Sequence, residues 1–198
     1  MKQFDLVQKA LEARGYGVHC FSRGEEACAY LNGAIHGKTV GFGGSCTLRE
    51  LGLFETLSTH NTVHWHWKQD PQEARTAAMG AQVYLSSVNA LAESGEIVNI
   101  DGAGNRLSAT LFGHETVYFV VGRNKLCPDY EAALWRARNV AAPRRAQQMG
   151  KKTPCALRAD RCYDCRSEER ICRGELTLWG PMLGMAAEVI LIDQDLGL

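Results

Sequence analysis

The chain has 198 residues, 45% of them hydrophobic, which is enough for a real core. Its 22 Lys and Arg balance 22 Asp and Glu, so it lacks both the basic excess of a general nucleic-acid binder and the polybasic segment of a membrane-surface protein. No apolar run approaches the roughly 20 residues of a membrane span, and polar Gln8 and Lys9 interrupt the start of the chain, so a soluble cytoplasmic protein without a secretory signal is expected.

Taken in chain order, residues 5–14 carry apolar side chains at helical spacing, and Gly15 and Gly17 end that helix. A short strand follows at 18–21, a helix at 25–35 and a strand at 39–42. The strand runs into Gly43-Gly44-Ser45 and a helix over 47–57 with Leu48, Leu51, Phe54 and Leu57 on one face. Strand character returns at 62–67, helix at 71–79, and strands at 82–87 and 96–100, with a turn at Glu93-Ser94-Gly95 between the last two. Residues 107–112 read as a short helix or turn, 117–121 as a buried strand, 129–140 as a strong helix and 189–192 as a last core strand. Strands alternating with helices predict an open, mainly parallel α/β sheet flanked by helices, in one domain spanning 1–198.

The region 143–173, which includes a cysteine-rich, metal-binding loop expected over 151–173, has little apolar content and is too long for an ordinary connection, so something other than a hydrophobic core must order it. Within it stand Cys155, Cys162, Cys165 and Cys172, four cysteines in 18 residues with the spacing C-x6-C-x2-C-x6-C. Two cysteines separated by two residues grip a metal from one tight turn, and the flanking pair closes the shell. Structural zinc usually shows two such paired turns. A single pair with two symmetrically placed lone cysteines points first to an iron–sulfur cluster, [4Fe–4S], with Zn2+ as the alternative. Two disulfides or free thiols on a loop are the plainer reading. Cys20 and Cys28 are expected to pack as small apolar residues.

Three further segments carry chemistry. Gly43-Gly44-Ser45-Cys46-Thr47 lies at a strand-to-helix turn, where glycines admit a ligand to the backbone and the helix start favours an anion; a tight turn capped by Ser45 is the plainer reading. In 87–106, Glu93 is a candidate nucleophile or base, Asp101 a base or orienting group and Arg106 an anion clamp, joined by Asn89 and Asn105. The turn residues there equally suit a hairpin and a loop. Asn124 and Lys125 follow a buried strand, at the ligand-facing end of a parallel sheet. One pocket lined by Gly43, Gly44, Ser45, Asn89, Glu93, Asp101, Asn105, Arg106, Asn124 and Lys125 is therefore expected, with Thr47 beside it. His64 and His66 alternate with Trp65 and Trp67, which puts both histidines on a solvated face of a strand.

These segments together resemble the lactate utilization (LUD) domain family, in its short branch with a C-terminal cysteine motif. The resemblance runs through Gly43-Gly44-Ser45-Cys46-Thr47-Leu48, Asn89-Ala90-Leu91 with Glu93 and Gly95, residues 99–106, Val121-Gly122-Arg123-Asn124-Lys125, residues 138–143, Thr153-Pro154-Cys155-Ala156, Cys162-Tyr163-Asp164-Cys165, Arg170-Ile171-Cys172 and Asp195-Leu196-Gly197. The chain departs from it with Cys46 in place of Met, Arg49 in place of an apolar residue, and Arg144-Arg145 in place of a small or polar pair. The resemblance implies the fold shared by ribose-phosphate isomerase, glucosamine-phosphate deaminase and coenzyme A transferases, and a part in oxidising lactate or a related hydroxy acid. It implies an anionic small-molecule ligand and redox protein partners, and a homo-oligomer is among the expected assemblies. The alternative is an enzyme acting on a phosphorylated or acyl small molecule, with Glu93 in the place of the transferases' reactive glutamate and the metal purely structural.

Overall fold

Strands that are apolar on both faces must be covered on both sides, and the centre of this protein is built that way. The computed structural model describes residues 4–198. β1 (Gly17–Phe21), β2 (Thr39–Phe42), β3 (Thr62–His64) and β4 (Val83–Ser86) lead to a hairpin of β5 (Ala90–Ala92) and β6 (Ile97–Asp101). β7 (Thr116–Gly122), the two-residue β8 (Leu126–Cys127), β9 (Gly174–Leu178) and β10 (Ala186–Ile192) follow. Six strands form one sheet in the order β1-β10-β7-β4-β2-β3, with every pairing parallel. The other four form a smaller mixed sheet in the order β8-β5-β6-β9. The expected open, mainly parallel α/β sheet is thus the architecture.

Alternation along each central strand divides the core. Val117, Phe119, Val121, Val189 and Leu191 face one cluster, which α1 (Asp5–Ala13) covers with Val7 and Leu11. Tyr118, Val120, Ile190 and Ile192 face the other, covered by α2 (Gly24–Ala34), α3 (Cys46–Glu50) and α4 (Leu53–Leu57). α5 (Pro71–Met79) is capped by Asp70, whose side chain accepts from the N–H groups of Gln72 and Glu73, and α6 (Asn105–Ala109) starts after Gly104. A third, alanine-rich cluster lies under the small sheet, where α7 (Tyr130–Arg136) brings Ala133 against Ala90, Ala92 and Val98.

The structure corrects several boundaries. The helix expected over 47–57 is two helices, broken at Gly52, whose φ of 63° is natural for glycine. The strand expected over 62–67 stops at His64, because the Gln69 amide accepts from Trp65 N–H and donates to Val63 C=O, closing a turn. The helix expected to end at 140 continues through a wide π turn (Ala137–Ala141) into α8 (Ala142–Gln148). Pro143 has no N–H to give, and the wide turn lies immediately before it. The loop expected over 151–173 contains one short helix, α9 (Pro154–Arg158), and leads directly into β9, an edge strand that sequence reading missed.

Candidate functional site

In an open α/β sheet, ligands gather at the carboxyl ends of the strands. Here those ends surround a cavity of about 410 Å³, within the range of small-molecule sites. β2 delivers Gly44 and Ser45, the turn after β3 delivers His66 and Trp67, β4 delivers Ser87 and Asn89, and β7 delivers Lys125. The wall opposite comes from the loop after β6, from Arg145 on α8 and from Arg170, Ile171 and Arg173 at the end of the cysteine loop. Cationic side chains predominate: Arg75, Arg106, Lys125, Arg145, Lys151, Arg170 and Arg173 line it with Asp101, Glu168 and Glu169.

Arg106 is tied down. Its Nη1 donates to Ser87 C=O (3.2 Å) and Asn99 Oδ1 (2.6 Å), and its Nη2 to Asn89 Oδ1 (2.9 Å) and Ile100 C=O (2.6 Å). All four terminal N–H groups are spent on the protein, so Arg106 offers a ligand its charge rather than its fork. Desolvation lowers its pKa, with Asp101 opposing. Asp101 is an organiser too. Its Oδ1 accepts from the N–H groups of Gly102 (2.7 Å) and Ala103 (3.2 Å), and its Oδ2 from Arg106 N–H (3.0 Å). The loop it shapes passes so close to the cysteine loop that a Cβ on Gly102 would stand 2.9 Å from Ile171 C=O.

Lys125 is 3% exposed. Its Nζ donates to Thr47 Oγ1 (2.7 Å) and Ser87 Oγ (2.8 Å). Burial, then Arg136 and Arg106, bring its pKa down to about 7 against weaker opposition from Cys46 and Glu50. His66 is likewise held below its usual value, first by burial and then by Arg75. Ser45 caps α3, accepting from Leu48 N–H at 3.2 Å while also lining the cavity. A Cβ on Gly44 would meet the Trp67 indole at 3.2 Å, so glycine there lets the ring close in. Trp67 stacks on buried Trp65 at 5.3 Å, and the guanidinium groups of Arg145 (4.6 Å) and Arg49 (5.6 Å) lie over it. Both arginines also reach Cys46 Sγ, at 3.9 and 3.8 Å. Of the positions at which the chain departs from the family pattern, Cys46, Arg49 and Arg145 thus meet beside one tryptophan.

Of the residues expected to share a pocket, Gly44, Ser45, Asn89, Asp101, Asn105, Arg106 and Lys125 line this cavity. Glu93 does not, which corrects the expectation of a glutamate in the pocket. It is exposed at the tip of the β5–β6 hairpin, its N–H donating to Cys127 C=O, while Arg14 holds the same turn through Ser94 C=O and Glu96. Gly43 is a packing residue, where a Cβ would meet Ser86 Oγ, Tyr84 Oη and Arg106 Cδ. Thr47 and Asn124 act just outside: Thr47 Oγ1 donates to Leu196 C=O, and Asn124 Oδ1 accepts from Leu196 N–H, fastening the C-terminal tail. His64 and His66 part company where the strand ends, and only His66 lines the cavity.

Cys155, Cys162, Cys165 and Cys172 line one second, small cavity. Asp164 N–H points at Cys162 Sγ (3.3 Å), from a left-handed conformation (φ 45°) between the paired cysteines. Arg170 Nη2 donates to Cys172 Sγ (3.5 Å), and hydrogen bonding to Cys162 raises the Arg138 pKa. Four sulfur donors around one space, with N–H groups aimed at them, suit a thiolate-bound centre. Among the described residues no group of three or more His, Cys, Asp or Glu side chains converges as for a single ion. Cys20 bonds Gln8 and Cys28 bonds Leu51 C=O, each packed against a core cluster.

A family model for the LUD domain matches residues 4–192. The chain belongs to the LUD-domain family. Among solved structures, a DUF162 family protein from Deinococcus radiodurans is similar with a TM-score of 0.56 over 96% of each chain, at 11% identity, which bears on the fold alone. No curated protein matches the chain. In this LUD-domain protein, sequence reasoning missed His66, Trp67, Arg75 and Arg145 as cavity residues. Arg145 had a signal, its departure from the family pattern. Arg75 had none, since a lone arginine on a helix looks solvated until the fold places it.

Proposed function

We propose that the larger cavity binds a small anionic metabolite and that the four cysteines carry a [4Fe–4S] cluster, with Zn2+ as the alternative, in a protein of lactate or related hydroxy-acid utilization that works with redox partners. The observation that carries this reading is the common wall: Ala142, Arg170 and Ile171 line both cavities. Cys155, Cys162, Cys165 and Cys172 would hold the cluster, which when bound supplies one-electron transfer. Arg170 serves both sides, donating to Cys165 C=O, Cys172 C=O and Cys172 Sγ while facing the anion cavity. Arg75, Arg145 and Arg173 supply positive charge for a carboxylate or phosphate, and Trp67 with Ser45 shapes the space. The alternative of an acyl or phosphoryl enzyme with Glu93 as its reactive group loses its residue, because Glu93 stands outside the cavity.

The test is metal and sulfide analysis of protein purified without oxygen, combined with thermal melts in lactate, pyruvate and phosphate. About four iron and four sulfide per chain are expected, lost on replacement of the cysteines. Stoichiometric zinc without sulfide would replace the cluster by the structural alternative. Melts indifferent to all three anions would reject the ligand reading.

A further inference from the structure

We propose that Lys125 Nζ is a nucleophile that condenses with the carbonyl carbon of a 2-oxo carboxylate bound in the larger cavity. The inference rests on the reading of that cavity as an anion site and names the ligand class more narrowly.

The hydrogen-bond inventory around Nζ is the first support. Ser87 Oγ donates its proton to Val120 C=O (2.5 Å), and Thr47 Oγ1 donates its proton to Leu196 C=O (3.2 Å). A hydroxyl has one proton to give, so towards Lys125 both oxygens act as acceptors. Two of the three positions on Nζ are therefore N–H groups spent on Thr47 and Ser87. The third position carries a proton in the ammonium form and a lone pair in the amine form. Lys125 is nearly fully buried and no carboxylate among the described residues pairs with it. An isolated buried ammonium is costly, and the guanidinium groups of Arg136 and Arg106 add repulsion. A desolvated lysine beside other cations is a recognised way to make an amine nucleophilic near neutral pH.

The same cavity selects the electrophile. An amine with a free lone pair attacks carbonyl carbon. Arg145 and Arg75, the latter with a buried Nε that has no partner, line the same cavity as Lys125 and call for an anion there. A 2-oxo carboxylate joins both groups in the smallest molecule. The balance is simple. The Nζ lone pair forms a C–N bond, the carbonyl π pair moves to oxygen, and one of the two Nζ protons leaves its hydroxyl acceptor, Thr47 or Ser87, and passes to that oxygen, giving a neutral carbinolamine. A proton from solvent lets that hydroxyl leave as water, giving an iminium, and loss of the remaining nitrogen proton returns a proton to solvent and gives the imine, with no oxidant or reductant required. The role is catalytic in the strict sense, since Nζ bonds to the ligand itself.

The test uses the full-length protein with pyruvate as probe and borohydride as trap, read by peptide mass spectrometry. The expected result is a carboxyethyl group fixed on Lys125 and blocked by excess inorganic phosphate. Labelling of exposed Lys9, Lys68 and Lys152 should be at least about tenfold lower, because exposed lysines are protonated near neutral pH. Lys125→Arg keeps the charge and loses the adduct. Should that variant not fold, the site map and phosphate competition on the wild-type protein decide alone. If pyruvate raises the melting temperature but borohydride labels only exposed lysines, the Lys125 proposal is overturned and the anion cavity stands. If neither pyruvate nor phosphate shifts the melt and no adduct forms, the anion reading falls and this proposal with it.

Discussion

The two cavities share a wall and are built by different means. The larger is framed by the ends of parallel strands whose other residues fill the core. Ser87, Lys125 and Ser45 follow or adjoin buried strands, so their positions are set by packing that exists without any ligand. The smaller is framed largely by residues 155–172, where α9 is the one short helix and most side chains are half-buried or exposed. Hydrophobic burial orders the first. The second has hydrogen bonds from Arg138, Arg170 and Asp164 in place of a core. A site on a packed sheet can be preformed, whereas a loop so poor in apolar contacts would take its rigidity from the sulfur–metal bonds of the proposed cluster.

The largest expected effect removes those bonds. Cys162→Ala with Cys165→Ala should abolish metal binding and raise amide exchange across residues 155–172, while β4, β7 and β10 keep their protection. Loss of protection throughout the molecule would show that the two regions are not independent. Next comes the packed side. Arg106→Lys has three donors for four acceptors, and each charged hydrogen bond contributes roughly 1.5–3 kcal/mol, so urea denaturation should show a loss of at least about 1.5 kcal/mol. Metal content should stay unchanged.

A smaller effect is read through pH. The pKa of Lys125 is near 7 in the folded chain and near its ordinary value, about 10.4, in the unfolded chain. Between these values the unfolded state binds more protons, so the folded state gains from this residue as pH rises from 7 towards 10.4. Compared with Lys125→Met, the wild-type protein should gain stability between pH 7 and about 9.5, as judged by paired denaturation midpoints. An unchanged gap would mean that Lys125 stays charged. The smallest effect is at the hairpin tip: Glu93→Gln should alter stability by no more than about 0.5 kcal/mol, as for an ordinary surface change. It should leave the anion-induced shift in melting temperature intact. A large loss of that shift would return Glu93 to the site.

Much of the architecture was legible in the chain itself. The apolar runs at 117–121 and 189–192, the Gly43-Gly44-Ser45 turn after a strand and the regular alternation of helix and strand are local signals. They report the period of the backbone and the side chains it buries. The cysteine spacing was local too: all four cysteines line one small cavity, although among the described residues no three of them converge as for a single ion. Tertiary structure alone decided the rest. It made Arg106 a tie between loops, because its four acceptors come from residues 87, 89, 99 and 100, brought together by a sheet edge and a hairpin. It moved Glu93 out of the pocket by turning the hairpin tip towards Arg14. It also brought Thr47, Ser87 and Lys125, 78 and 38 residues apart in the chain, into contact. Spacing along a chain says which residues a turn can join, but the environment of a buried amine depends on strands that meet only when the sheet closes around it.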